Sequence, residues 1–234
     1  GIDLAMGGGR AKFQPKDAGG SRDDGKDLVA AWSARYPAGH YLSDAAALRA
    51  LKPTTAGPVL GLFSPDHMSY ETDRDAAKQP SLTEMTNFAI ARLAASSPKG
   101  YYLMVEGGRI DHGHHASNPY RALSEAQQFS QAIAAALAQI NLDETLVLVT
   151  ADHSHVLTIA GYPERGNDIL GYIRPVAGGE GGDGLDEHGN AIDDRGVPMT
   201  TLGYQNGPWS GTIEGQKLSP RLAPTDKNFI SNKL

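Results

Sequence analysis

The chain has 234 residues, 40% of them hydrophobic and 21% charged, a length that suits one α/β domain or a large piece of one. Its 27 acidic residues against 21 basic ones give a net charge of -6, which excludes the basic surface that holds nucleic acid by counterion release. The absence of cysteine removes disulfides, thiolate zinc sites and a cysteine nucleophile together, so any metal must sit on His, Asp or Glu.

The opening Ile2, Leu4 and Met6 run straight into Gly7-Gly8-Gly9, which predicts a strand and its exit turn. A chain seldom starts inside a strand, so residues upstream of Gly1 are expected. The glycine run lacks the lysine and the spacing of a Walker loop, and predicts a tight backbone turn rather than a phosphate cradle. Helices are predicted at about 27–36 and after Ser43-Asp44, whose side chains can cap. Val59 to Phe63, closed by Ser64-Pro65-Asp66, predicts a buried strand. Ser81 followed three residues later by Glu84 is a capping box, and Leu82, Met85, Ala89 and Leu93 form the apolar stripe of a helix ending near Ser97-Pro98.

Tyr101 to Val105 is a continuous apolar run of strand length, as is Leu146 to Val149. Between them a long helix is predicted from Pro119 to Ile140, with Leu123, Ala126, Ser130, Ile133, Leu137 and Ile140 facing one way. Strand, helix, strand in that order predicts a mostly parallel sheet covered by helices on both faces, with ligands gathered at the carboxyl ends of its strands. Residues 161–200 are glycine-rich and acidic with no sustained period, which predicts an irregular insertion serving as a lid or an interface arm. No run approaches the ~20 apolar residues that cross a bilayer.

Five of the eight histidines fall in two segments, Glu106 to His115 and Asp152 to His155, each directly after an apolar run. Asp111 and His115 are four apart, so a helical turn there puts both on one face, able to close on a single ion. Asp152 and His153 are neighbours and can share an ion only where the chain has left the strand. Carboxylate oxygen with imidazole nitrogen and no sulfur suits zinc or another first-row divalent cation, while Glu106 among oxygen ligands better suits magnesium. Two such strand ends side by side would set two cations in the arrangement that stabilises attacking and leaving oxygens of phosphoryl transfer. His114 is expected to point elsewhere.

At these residues the sequence resembles the alkaline phosphatase family. The resemblance rests on Val105-Glu-Gly-Gly-Arg-Ile-Asp-His-Gly-His-His115 with Thr150-Ala-Asp-His-Ser-His155, and extends to Gly7-Gly8-Gly9-Arg10, Gly61-Leu62-Phe63, Pro80-Ser81-Leu82 and Gly161-Tyr162-Pro163 with Arg165-Gly166-Asn167. It covers essentially the whole chain and is nearest to the animal and marine bacterial branch. It implies a three-layer αβα fold with residues 1–234 part of a single domain, and a metal-dependent phosphomonoesterase. Asp111 and His115 would hold one zinc, Asp152 and His153 a second, and Glu106 one magnesium, with His112 and His155 as outer-shell groups. The implied route attacks with a serine and passes through a phosphoserine. A homodimer, phosphomonoester substrates and a periplasmic or extracellular location are implied as well.

The departures from the family pattern are specific. No Asp-Ser-Ala nucleophile segment occurs, and neither does the Glu-Thr-His segment that supplies a further zinc ligand. The nucleophile is therefore expected outside this chain, and the chain is expected to be incomplete at both ends. Two alternatives keep the metal site: a truncated relative that binds metal or phosphate without turnover, and a phosphodiesterase or sulfatase of the same superfamily.

Overall fold

The computed structural model describes residues 2–176, 184–194 and 196–205. Residues 206–234 lie outside them, and the 161–200 stretch lies partly outside. The chain divides into two compact units, 1–107 with 126–148, and 108–125 with 149–234.

The first unit is built on a parallel sheet of β1 (Leu4–Gly7), β2 (His40–Leu42) and β3 (Val59–Leu62), in the order β1-β3-β2. β3 is the centre and is buried along its whole length. Leu4 to Gly7 align with Val59 to Leu62 on one side, and His40 to Leu42 align with Val59 to Gly61 on the other. Such a strand reads as an unbroken apolar run because both its faces are covered. One face packs on Leu42, Leu48, Phe63, Met85 and Phe88, the other on Val29 with Trp32 and Phe13. Full burial of side chains of this size contributes about 1.5–3 kcal/mol each.

The helices start where the capping residues predict. Asp27 accepts from the Ala30 amide to open α1 (Leu28–Arg35), and Asp44 accepts from Ala47 to open α2 (Ala45–Ala50). The full capping box of Ser81 and Glu84 opens α3 (Leu82–Ser96), whose stripe of Met85, Phe88, Ala89 and Leu93 is buried. The glycine run is a turn, as expected: Gly9 lies at φ 85° and donates to the Asp66 carbonyl. A Cβ on Gly8 would stand 2.2 Å from that same carbonyl oxygen, so only glycine lets the two backbones meet.

Two expected strands do not form. Residues 101–107 and 145–150 carry no ladder among the described residues, and Tyr102 is 89% and Leu146 82% exposed. An apolar run fixes the side chains of a strand but not its hydrogen-bonding partner, and without a partner there is no sheet. The parallel sheet is present, carried by β1 to β3 rather than by these runs. Conversely β2, β4 (Leu157–Ile159) and β5 (Leu202–Tyr204) were not expected. Each is three residues long, too short for a period-2 pattern to stand out.

In the second unit β4 and β5 pair antiparallel, with Leu157 opposite Tyr204 and Ile159 opposite Leu202. The described part of 161–200 is joined by single bridges, Pro163 to Pro175 and Tyr172 to Thr200 among them. Helix α4 (Arg109–His115) and helix α5 (Pro119–Leu137) meet through a three-residue turn. There the Asn118 amide donates to Gly113 and the Ser117 amide to His114, with Ser117 at φ 51°. This is the Schellman pattern that ends helices in the left-handed conformation, here with serine in place of the usual glycine. Asn118 then accepts from the Arg121 amide and caps α5.

Candidate metal centre

Helix α4 begins at Arg109, so Asp111 and His115 lie one turn apart and project to one side. The His115 Nε2 is 3.3 Å from Asp111 Oδ1. The segment 152–155 is irregular, which frees its side chains from strand alternation. His155 Nε2 lies 2.8 Å and His153 Nε2 3.7 Å from the same Asp111 oxygen, while His153 Nε2 lies 3.3 Å from Asp152 Oδ2. One carboxylate oxygen is thus ringed by three imidazole nitrogens. Asp111, His115 and His155 offer ligand atoms all within 4.8 Å of one another.

The spacings separate two kinds of contact. Ligand atoms around a tetrahedral zinc, at bonds of about 2.0–2.1 Å, stand roughly 3.3 Å apart. The Asp111–His115 and Asp152–His153 pairs have that spacing. The 2.8 Å contact of His155 is a hydrogen bond from Nε2–H to the carboxylate, the arrangement by which an outer group orients a ligand. Donor type and spacing therefore fit a zinc-like cation.

The electrostatics agree with a carboxylate kept ionised. Partial burial pushes the Asp111 carboxyl up, but the His155 hydrogen bond and the nearby imidazoles outweigh it and hold it below the usual range. Burial, helped by the His155 imidazole, pushes His114 below the ordinary histidine range and keeps it neutral. Burial also pushes the Tyr204 phenol well up, so it keeps its proton, and its hydroxyl is hydrogen-bonded to His114 Nδ1 at 2.8 Å.

Of the remaining expected residues, His112 is engaged by Arg109 Nη1 at 2.9 Å. Glu106 is exposed and belongs to the first unit. His114 does not point away from the cluster: its ring stacks on that of His155, centroids 4.7 Å apart and planes 26° apart. Sequence reasoning missed this stack and missed Tyr204, ninety residues from His114. The available signal was the middle histidine of His112-Gly-His114-His115, three residues from Asp111 and hence near its face.

A parallel sheet in the first unit and, in the second, a carboxylate ringed by imidazoles define an α/β chain with a cation-ready centre. The chain belongs to the alkaline phosphatase family: the family's description, Alkaline phosphatase, matches residues 1–216. It is 39% identical over 230 residues to the tissue-nonspecific alkaline phosphatase of Rattus norvegicus, covering 92% of this chain and 41% of that one. It is 36% identical over 229 residues to alkaline phosphatase of Gadus morhua, covering 92% and 45%. The chain thus spans less than half the length of these curated relatives. Among solved structures, a histidine-to-glutamate mutant of TAB5 alkaline phosphatase with Mg bound in its M3 site matches at TM-score 0.58 and 25% identity, over 86% of this chain and 49% of that one. The corresponding histidine-to-aspartate mutant matches at TM-score 0.59 and 24% identity over the same shares, a likeness of fold.

Proposed function

We propose that the second unit carries the cation-binding half of a metal-dependent phosphomonoester hydrolase. The observation that carries this reading is the convergence of His115, His153 and His155 on one oxygen of Asp111. Asp111 with His115 would hold one zinc and Asp152 with His153 a second, while Glu106, on the first unit, would serve one magnesium. Bound there, such cations supply Lewis-acid stabilisation of charge on phosphoryl oxygens. Asp111 stays ionised and presents its carboxylate, His155 donates to it and fixes its direction, and Arg109 fixes the ring of His112. The attacking serine of the phosphoserine route has no counterpart in residues 1–234, so this reading assigns the chain metal ligands and no nucleophile. Little of the substrate beyond its phosphoryl group needs to be read, which gives broad monoester specificity. A homodimer, and a periplasmic or extracellular location, belong to the same proposal.

The test is hydrolysis of an aryl phosphate monoester, a diester and a sulfate ester by the purified protein at alkaline pH, alongside a zinc titration. Monoester preference with zinc dependence supports the proposal. Stoichiometric zinc with no turnover is the outcome expected of a chain that holds the metal ligands without the nucleophile, failure to bind zinc overturns the proposal, and a diester or sulfate preference overturns the substrate class.

A further inference from the structure

His155 orients Asp111 through its Nε2–H, but a ring held at one nitrogen can still pivot about that bond. What stops it is a second layer. The His114 imidazole lies against the flat face of His155 at 4.7 Å and 26°. The rings of His115 and His153 meet His155 edge-on at 5.1 Å each. His114 is in turn tethered at Nδ1 by the Tyr204 hydroxyl at 2.8 Å. Tyr204 is fully buried and sits on β5, locked by register opposite Leu157, two residues past His155. The Gln205 amide also donates to the Val156 carbonyl. The β4–β5 pairing therefore fixes both the segment that carries His155 and the phenol that braces its neighbour.

We propose that Tyr204 and His114 are positioning residues for the metal centre, a hydrogen-bonded brace that holds the His155 ring, and through it the Asp111 carboxylate, in the orientation that receives a cation. This rests on the reading of the second unit as a metal site. The phenol ring fills the buried volume whether or not it carries its hydroxyl, so Tyr204→Phe removes one hydrogen bond and little else. Among the described residues the Tyr204 hydroxyl is hydrogen-bonded to His114, and the His114 ring meets His155 face to face.

The test uses the purified protein with zinc alone, in chelator competition, together with the imidazole nitrogen spectrum of the metal-free protein. Tyr204→Phe and His114→Phe are each expected to weaken zinc binding roughly 3- to 10-fold, below the ~10–100-fold of a ligand's direct orienting partner. The double variant is expected to be no weaker than the worse single one, because both act through one bond. In the metal-free spectrum the His155 Nε2–H is expected to lose exchange protection in both variants. A lower melting temperature with unchanged zinc affinity and unchanged His155 signals would make Tyr204 merely structural and overturn the brace, as would multiplicative losses in the double variant. If the wild type binds no zinc yet the His155 signals respond to Tyr204→Phe, the brace stands and the metal reading falls.

Discussion

Gly113 is the position where the centre's geometry can be perturbed without touching a ligand. It is buried in α4, between Asp111 and His115, and a Cβ there would lie 2.7 Å from the Ala122 nitrogen, 2.8 Å from its Cα and 3.1 Å from its Cβ. Two of these are backbone atoms, which no rotamer change can move aside. Comfortable contact needs about 3.5–4.0 Å, so Gly113→Ala must part the start of α5 from α4 by roughly 0.8–1.3 Å. Two terms of opposite sign result. Alanine gains about 0.8–1.0 kcal/mol of helix propensity over glycine, and overpacking costs about 1–3 kcal/mol. With backbone as the obstacle the cost lies near its upper end, so a net loss of about 1–2 kcal/mol is expected. At 2–4 °C per kcal/mol for a chain of this size, the melting temperature falls by about 2–8 °C. The effect on metal is larger. Ligand distances must hold within about 0.2 Å, and Asp111 and His115 ride on the displaced helix while Asp152, His153 and His155 do not. Zinc affinity by chelator competition is therefore expected to drop by more than about tenfold. A Gly113→Ala protein that melts no lower and binds zinc as tightly would refute this reasoning, since propensity would then have won and the helix contact would not set the site.

Further predictions follow from single features. Arg92, 4% exposed, donates to the carbonyls of Pro53, Thr55 and Gly57; Arg92→Met strands those acceptors and should cost about 2–4 kcal/mol in urea unfolding, with zinc affinity unchanged. Ser81→Ala removes the acceptor for the Glu84 amide and should cost about 1 kcal/mol by the same measurement. The Glu84 carboxyl is held low by the Arg49 hydrogen bond against the opposing effect of burial. A carboxyl depressed in the folded state stabilises above its unfolded value of about 4.3 and loses that contribution as pH falls below it. The stability gap between wild type and Glu84→Gln should therefore be constant at neutral pH and close progressively below about pH 4; a gap that widens in acid contradicts the sign. Leu148 is 81% exposed, so Leu148→Lys should change stability by less than about 0.5 kcal/mol, whereas a loss near 3 kcal/mol would mean that this run is packed as a strand.

What the sequence made legible was local. Asp27, Asp44 and the Ser81–Glu84 box marked helix starts because capping needs only residues three apart. The turn at Gly7 to Gly9 and the shared face of Asp111 and His115 are likewise short-range geometry. Pairing was not legible. The runs Tyr101 to Val105 and Leu146 to Val149 look like strands by composition, yet a ladder depends on a partner that no local pattern names. The brace of Tyr204 on His114 was hidden for the same reason: it joins residues ninety apart through a register of three-residue strands. The family resemblance implied His155 as an outer group, but its bond to Asp111 spans two separate segments and only the fold brings them together.

The most direct check of the metal centre is zinc K-edge X-ray absorption on the purified protein and its Asp111→Asn variant, each loaded with zinc and exchanged into metal-free buffer. The predicted wild-type spectrum has a sulfur-free shell of nitrogen and oxygen at about 2.0–2.1 Å with imidazole outer scattering, and the variant loses most of its bound zinc. A wild type that keeps no zinc, or an Asp111→Asn protein that keeps it in the same shell, contradicts the account.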